Sequence, residues 1–163
     1  MLNKDSLLKF LETQGVSFTL YQHARVFSKA DLSNMPETAG EVLKSLVLTN
    51  KQHDLFLFTL PLNKNADLKN LAIKINSTRL SFGVNQDLNP LGVLPGMVSP
   101  LALLNDSQKR FKYIEPVELR QYPIVNCHPL DNAYSIDIAL LDLERLVSDS
   151  GHEIVYVSDC LKA

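Results

Sequence analysis

The run Val42-Leu-Lys-Ser-Leu-Val-Leu-Thr49 and the run Leu55-Phe-Leu-Phe-Thr-Leu60 decide the fold. Both are short, apolar and rich in residues that suit the pleated, half-buried surface of a sheet. The segment that separates them, Asn50-Lys-Gln-His-Asp54, is polar and has the length of a hairpin connection. We therefore predict an antiparallel β-hairpin made of these two strands.

Helices and strands alternate along the rest of the chain without a strict repeat. The first predicted helix is capped by Asp5 or Ser6 and ends at Gly15, and a short second helix begins at Ser28 and Asp31 and ends before Pro36. A helix is predicted over residues 67–75 and a short one over residues 86–91. The last predicted helix contains Leu143 and Val147 and ends at Gly151. Further strands are predicted over residues 16–22, 111–114, 124–127, 133–138 and 153–157. This order predicts an α+β fold, with a mixed, mainly antiparallel sheet and flanking helices, rather than a doubly wound parallel sheet.

The composition predicts one compact domain that spans residues 1–163. The chain is 45% hydrophobic and 21% charged, which is typical of globular domains of this length. Charged residues interrupt the apolar positions near the N-terminus, so an amphipathic helix is expected there and not a signal peptide. No apolar run approaches membrane-spanning length. We expect a cytoplasmic protein with no membrane partner.

The cysteines and histidines do not form a metal-binding pattern. Cys127 and Cys160 are too few and too far apart for a disulfide framework or a zinc ribbon, so buried free thiols are expected. No paired ligand spacing is present among the histidines, which are His23, His53, His128 and His152. The sequence also lacks a P-loop and a dinucleotide-binding glycine motif. We predict no metal and no cofactor.

The charge distribution leaves nucleic-acid binding open as a local property. A net charge of −2 argues against attraction of the whole molecule to nucleic acid. The most basic stretch carries Lys64, Lys69, Lys74 and Arg79 against the single acid Asp67. Either this stretch is a solvated helix face or it contacts phosphate.

Lys44 interrupts the first strand of the predicted hairpin. Because side chains alternate along a strand, Lys44 shares the apolar face of Val42, Leu46 and Leu48. An ammonium group buried there without a partner would be strongly destabilising. Three interpretations are open: the side chain reaches outward to water, it protects the edge of the hairpin, or it meets an anion in a cleft.

Two further segments place polar groups at turns. In the loop Gly92-Val-Leu-Pro-Gly-Met-Val-Ser-Pro100, Gly96 leaves the main chain open to a ligand, and prolines stiffen both sides. The backbone amides of this loop are candidates for binding an anion or a carbonyl oxygen. The second segment is His128-Pro-Leu-Asp-Asn132. In isolation, a Pro-Gly or a His-Pro pair would be predicted as an ordinary turn.

Taken together, Lys44-Ser-Leu-Val-Leu48, Gly96-Met-Val-Ser-Pro100 and His128-Pro-Leu-Asp-Asn132 resemble the motifs of the YbaK/prolyl-tRNA editing family of aminoacyl-tRNA deacylases. The resemblance extends over the whole chain and implies one YbaK-like domain with the α+β fold of that family. It implies that Lys44 and Gly96 are catalytic. The substrate-binding residues that it implies are Ser45, Ser81, Ser99, His128 and Asn132. Ser45 departs from the pattern, because an asparagine usually follows the lysine.

The same resemblance implies a substrate class. His128-Pro-Leu-Asp-Asn132 is similar to the His-Pro-x-x-Asn pattern of the subgroup that removes alanine from tRNA(Pro), which implies a trans-editing hydrolase of alanyl-tRNA(Pro). The implied partners are the acceptor end of the aminoacyl-tRNA and prolyl-tRNA synthetase. Because residues 80–83 lie beside the family's substrate cleft, the implied phosphate contacts just before them are Lys69, Lys74 and Arg79. Two alternatives stay open: a cysteinyl-tRNA(Pro) deacylase, and a non-catalytic module that binds an acceptor stem or a nucleotide.

Overall fold

The structure is a computed structural model and describes residues 1–25 and 36–163. The α-helices in these residues are α1 (Lys4–Thr13), α2 (Leu68–Lys74) and α3 (Leu140–Asp149). The strands are β1 (Phe18–Gln22), β2 (Glu41–Thr49), β3 (Leu55–Pro61), β4 (Asn65–Ala66), β5 (Ser81–Phe82), β6 (Phe111–Pro116), β7 (Ile124–Cys127), β8 (Tyr134–Ala139), β9 (Ile154–Val157) and β10 (Leu161–Lys162). Short 3-10 helices cover Asn85–Leu91, Pro100–Asn105 and Val117–Gln121. None of these helices is long and apolar enough to cross a membrane.

A mixed sheet forms the centre of the fold, in the order β1-β8-β7-β2-β3-β6-β9, with β5 added alongside β2. Strands β2 and β3 form the predicted antiparallel hairpin, in which Lys44 lies opposite Leu60. Strands β1, β8 and β7 also pair antiparallel. The pairings of β2 with β7, β3 with β6 and β6 with β9 are parallel. The predicted α+β fold with a mixed sheet and flanking helices is confirmed.

Two hydrophobic clusters cover the two faces of the hairpin. Leu43 and Val47 of β2 belong to the cluster that contains the buried residues of α1 and α3. Leu46 and Leu48 belong to the cluster that contains Leu71 of α2. Because side chains alternate along the strand, Lys44 extends from the second face. Strand β3 is buried along its whole length, since both of its faces are covered.

Several predicted boundaries are wrong by a few residues. Helix α1 is capped by Asn3 and not by Asp5 or Ser6: Asn3 Oδ1 accepts from the Ser6 amide at 2.9 Å, and Ser6 Oγ accepts from the Asn3 amide at 2.8 Å. The first strand begins at Phe18 and not at residue 16, because Val16 still bonds back to Leu11 of the helix. The short helix predicted from Ser28 and Asp31 lies outside the described residues.

Glu115 of β6 is a carboxyl group that is only 1% exposed. Tyr113 Oη donates to Glu115 Oε1 at 3.2 Å. Burial is the largest cause that raises the pKa of Glu115 from 4.5 to about 9, and a hydrogen bond to Glu144 and the charge of Glu144 raise it further. Glu144 in turn accepts hydrogen bonds from Tyr156 Oη at 2.7 Å and from Arg120 Nη2 at 3.1 Å. Glu115 is therefore protonated in the folded protein at neutral pH.

The raised pKa of Glu115 predicts how the free energy of unfolding depends on pH. Since the unfolded chain releases the Glu115 proton near pH 4.5 and the folded state keeps it to about pH 9, the folded state binds more protons between these values. The free energy of unfolding should therefore fall as pH rises through this window. Glu115→Gln removes the ionisable group and should flatten the decline. Urea unfolding at a series of pH values checks this expectation, and parallel profiles for the two proteins would contradict it.

Candidate active site

A cleft opens where strands β2 and β7 part. Their parallel register joins Glu41 to Val125 and Val42 to Asn126, and it stops there. Strand β7 ends at Cys127, whereas β2 continues to Thr49. Gly96 and Val98, from the loop before the 3-10 helix Pro100–Asn105, line the resulting gap. The end of a strand pairing therefore creates a concave site inside an otherwise continuous sheet.

The cleft has two parts. The inner cleft, of about 190 Å³, is lined by residues 42–45, Leu62, Gly96, Val98 and residues 126–128. The outer cleft, of about 820 Å³, is lined by residues 36–38, 40–42, Lys44, Leu62, Asn63 and Asn65. Val42, Lys44 and Leu62 belong to both parts. Lys44 therefore lies at the junction of a small compartment and a larger one.

Gly96 lies in a tight turn on the wall of the inner cleft. Its φ of 88° is left-handed, and Met97 N donates to the Leu94 carbonyl oxygen at 3.1 Å. Pro95 and Gly96 thus occupy the central positions of a type II turn, which requires a positive φ at its second central residue. Glycine is needed here for the backbone conformation as well as for space in the cleft.

His128 also lines the inner cleft. Its Nδ1 lies 2.8 Å from the Tyr134 carbonyl oxygen. Because a carbonyl group can only accept, Nδ1 carries the proton and Nε2 carries the lone pair. Burial lowers the pKa of His128, which favours the neutral ring. The imidazole ring therefore forms a neutral part of the inner cleft wall and has one acceptor nitrogen.

The structure brings some of the sequence-predicted site residues together. Lys44, Ser45, Gly96 and His128 come from three distant segments and line the same inner cleft. Ser45 Oγ also lies 2.7 Å from Thr59 Oγ1 on the neighbouring strand.

Two other predicted residues are buried outside the lining of the inner cleft. Ser99 is buried, and its Oγ donates to the His128 carbonyl oxygen at 2.7 Å. Asn132 is fully buried in the turn between β7 and β8, where its Oδ1 accepts from Arg25 Nη1 at 2.9 Å. Neither side chain lines the inner cleft.

The remaining predicted residues lie away from the inner cleft. Ser81 is exposed and lies opposite Thr49 on β2, about 16 Å along the strand from Lys44 at 3.3 Å per residue. The predicted phosphate contacts are all exposed: Lys69 and Lys74 are on α2, and Arg79 follows it. Lys74 lines a separate concavity with Lys112.

Sequence reasoning did not single out Asn126 and Asp137, which lie side by side in the register of β7 and β8. Asp137 Oδ1 accepts from Asn126 Nδ2 at 2.9 Å and from the Gly40 amide at 3.2 Å. Asp137 Oδ2 accepts from Tyr21 Oη at 2.6 Å and from the Ala39 amide at 3.1 Å. One carboxylate thus joins strands β1 and β7 to the segment that leads into β2. The signal was a charged residue within the apolar strand 133–138.

Cys127 also lines the inner cleft, but its thiol is not activated. Burial, with a further contribution from the charge of Asp137, raises the pKa of Cys127 to about 12. Since the thiolate is the reactive form, Cys127 acts as an apolar wall at neutral pH. Cys160 is also a buried free thiol, as predicted. Within residues 1–25 and 36–163, no group of three His, Cys, Asp or Glu side chains is placed to hold a metal ion.

Known proteins with similar sequences and folds carry related descriptions. The chain is 29% identical over 154 residues to the prolyl-tRNA editing protein ProX of Acetoanaerobium sticklandii, covering 91% of this chain and 93% of that protein. It is 26% identical over 159 residues to the prolyl-tRNA synthetase associated domain-containing protein 1 of Danio rerio, covering 95% and 86% of the two chains. The fold matches a crystal structure described as a proposed trans-editing enzyme for prolyl-tRNA synthetase, with a TM-score of 0.68 and 17% identity over 100% of this chain and 99% of that one.

The family model for the aminoacyl-tRNA editing domain matches residues 25–146. This range includes the cleft-lining segments of β2, the Gly96 loop and the end of β7. Since the match covers most of the sequence, the chain belongs to the aminoacyl-tRNA editing domain family.

Proposed function

We propose that this chain is a trans-editing hydrolase that removes alanine from mischarged tRNA(Pro). The observation that carries the proposal is the convergence of Lys44, Gly96 and His128 on one small cleft. The names of the relatives, a prolyl-tRNA editing protein and a prolyl-tRNA synthetase associated protein, support the choice of tRNA(Pro) and a synthetase partner.

The sizes of the two compartments fit the two ends of an aminoacyl ester. The inner cleft, at about 190 Å³, is smaller than the 300–1,000 Å³ of typical ligand pockets and suits a small acyl group. The outer cleft, at about 820 Å³, falls within that range and suits the terminal nucleotide. The ester bond would then lie at their junction, beside Lys44.

The reaction we propose is attack of water on the ester carbonyl. The water oxygen bonds to the carbonyl carbon, the bond from that carbon to the ribose oxygen breaks, and the ribose oxygen takes up the proton that the water gives up. Backbone donors around Gly96 stabilise the oxyanion that forms, and the Lys44 ammonium orients the ribose and phosphate. The neighbouring ribose hydroxyl of the substrate positions the water. Cys127 takes no part as a nucleophile, because its thiol remains protonated.

Selectivity follows from the wall that His128 forms. A synthetase for proline cannot strongly reject the smaller alanine, since lost methylene groups discriminate by only about 1–3 kcal/mol. A small editing pocket has the opposite preference, because the pyrrolidine ring of proline would displace the ester from the Gly96 loop. Alanyl-tRNA(Pro) should therefore be hydrolysed and prolyl-tRNA(Pro) spared.

Replacement of His128 by alanine should erode this discrimination. We expect the ratio of alanyl to prolyl turnover to fall about tenfold or more, since the wall loses its imidazole ring. His23→Ala is the matched control, because the His23 ring is 6.1 Å from that of His128 and does not line the inner cleft. Steady-state rates on both substrates give the ratio, which does not depend on how much protein is folded. An unchanged ratio in His128→Ala would remove His128 from the pocket wall.

The proposed function is tested by wild-type deacylation of alanyl-, cysteinyl- and prolyl-tRNA(Pro). Turnover of the alanyl ester above the other two supports the proposal. Preference for the cysteinyl ester would replace alanine by cysteine as the substrate. Binding of the tRNA without turnover of any ester would indicate a non-catalytic module.

A further inference from the structure

Asn126 contributes an unsatisfied acceptor to the wall of the inner cleft. Its side chain is fully buried, and its Oδ1 has no hydrogen-bond partner among the described residues. The assignment of the two amide ends is fixed by Asp137, because a carboxylate can only accept and therefore takes the Nδ2 end at 2.9 Å. The oxygen is left without a donor, which is rare for a buried polar group and calls for an explanation.

The carboxylate behind this oxygen favours a positively charged donor, and the Lys44 ammonium group, which lines the same cleft, is not bonded to it. Asp137 lies directly behind the amide and polarises it, so that the oxygen carries more negative charge. His128, two residues along the chain, lines the same cleft with a neutral ring whose Nε2 carries a lone pair. This wall therefore combines two acceptors with a carboxylate behind them.

An aminoacyl ester carries one group that matches this wall, its α-ammonium group. We propose that Asn126 Oδ1 binds the α-ammonium group of the acyl moiety and thereby positions the ester carbonyl against the Gly96 loop. This inference rests on the proposed deacylase function and adds recognition of the amine to it. The oxygen has almost no accessible surface, and side-chain movements of about 0.5 Å, routine at room temperature, would let a bound donor reach it.

The test compares alanyl-tRNA(Pro) with propionyl-tRNA(Pro), which has the same carbon skeleton without the amine. Each enzymatic rate is divided by the rate of uncatalysed hydrolysis, because the ammonium group also activates the ester chemically. We expect the wild type to prefer the alanyl ester by about ten- to hundredfold after this correction, the range for a hydrogen bond to a charged group. Asn126→Ala should lose most of this preference. No preference in the wild type would overturn the inference.

Tyr21→Phe is the matched control for the structural role of Asn126. Like Asn126→Ala, it removes one donor from Asp137, but it leaves the inner cleft untouched. It should keep the wild-type preference. A preference that survives in Asn126→Ala, or that falls equally in Tyr21→Phe, would contradict amine binding by Asn126.

A binding measurement keeps the inference testable if Asn126→Ala does not fold. The stable analogues 3′-alanylamino- and 3′-propionylamino-3′-deoxyadenosine are added to wild-type protein, and the side-chain amide resonance of Asn126 is followed by NMR. A shift with the alanyl analogue alone supports the inference, whereas equal shifts with both would overturn it. The NMR measurement also separates the two proposals. Absence of turnover on every ester would contradict the deacylase function, whereas binding of the alanyl analogue would still show whether Asn126 binds the amine.

Discussion

Lys44→Met should lower the rate of alanyl-tRNA(Pro) deacylation by about 10²–10³-fold, the loss seen when one electrostatic stabiliser of a transition state is removed. Lys44 lies at the junction of the inner and outer clefts, where the ester would be held. Methionine keeps a flexible, unbranched side chain and removes only the ammonium group. The change should therefore act on turnover and leave the fold intact.

Single-turnover rates and thermal unfolding of the same preparation check this expectation. Lys51→Met is the matched control, because Lys51 is exposed in the turn between β2 and β3, away from the cleft. Wild-type turnover in Lys44→Met would remove the lysine from the mechanism. An unfolded Lys44→Met protein would instead assign the side chain a structural role, and Lys44→Arg would then show whether charge alone restores the fold.

Gly96→Ala should cost about a hundredfold in rate, because the added methyl group enters the inner cleft where the carbonyl is expected and disturbs the turn that presents the backbone donors. Its φ of 88° adds strain of about 1–2 kcal/mol for any residue with a Cβ atom. Loss of rate and loss of stability must therefore be measured separately.

Gly15→Ala provides the control for the backbone strain. Gly15 has a φ of 70°, and a Cβ atom there would meet nothing within 4 Å. It should lose stability without losing turnover. Ser99→Ala should lower the rate less than Gly96→Ala, since Ser99 does not line the inner cleft and its hydroxyl bonds the His128 carbonyl oxygen. If Gly96→Ala retained as much turnover as Gly15→Ala, the loop would be a simple turn.

The hairpin could be predicted from the sequence because its determinants are local. Two apolar runs joined by a polar segment of hairpin length specify the antiparallel pairing of β2 and β3 without reference to the rest of the chain. Helix α2 was equally predictable, because Leu71 and Ala72 lie at helical spacing from Leu68 and Ile75, and all four pack in one cluster. The cap of α1 was misplaced because Asn3 forms its capping box with a serine in place of the usual glutamate or glutamine.

The candidate site could be predicted only in part. Lys44, Gly96 and His128 were marked by residue types that break local patterns and by a family resemblance. Asn126 and Asp137 were not marked in this way, because their contact depends on the register of β7 against β8. The cleft itself depends on where β7 stops pairing with β2. Such parallel and long-range pairings are set by the packing of distant segments, which no local pattern encodes.

Single-turnover release of alanine from alanyl-tRNA(Pro), with the enzyme in excess, measures hydrolysis at the inner cleft. The wild type should release alanine far faster than the uncatalysed ester hydrolyses, and Lys44→Met, verified as folded, should release it about 10²–10³-fold more slowly than the wild type. Release by the wild type no faster than in buffer would mean that the protein is not a deacylase, and equal release by the two proteins would mean that Lys44 takes no part in hydrolysis.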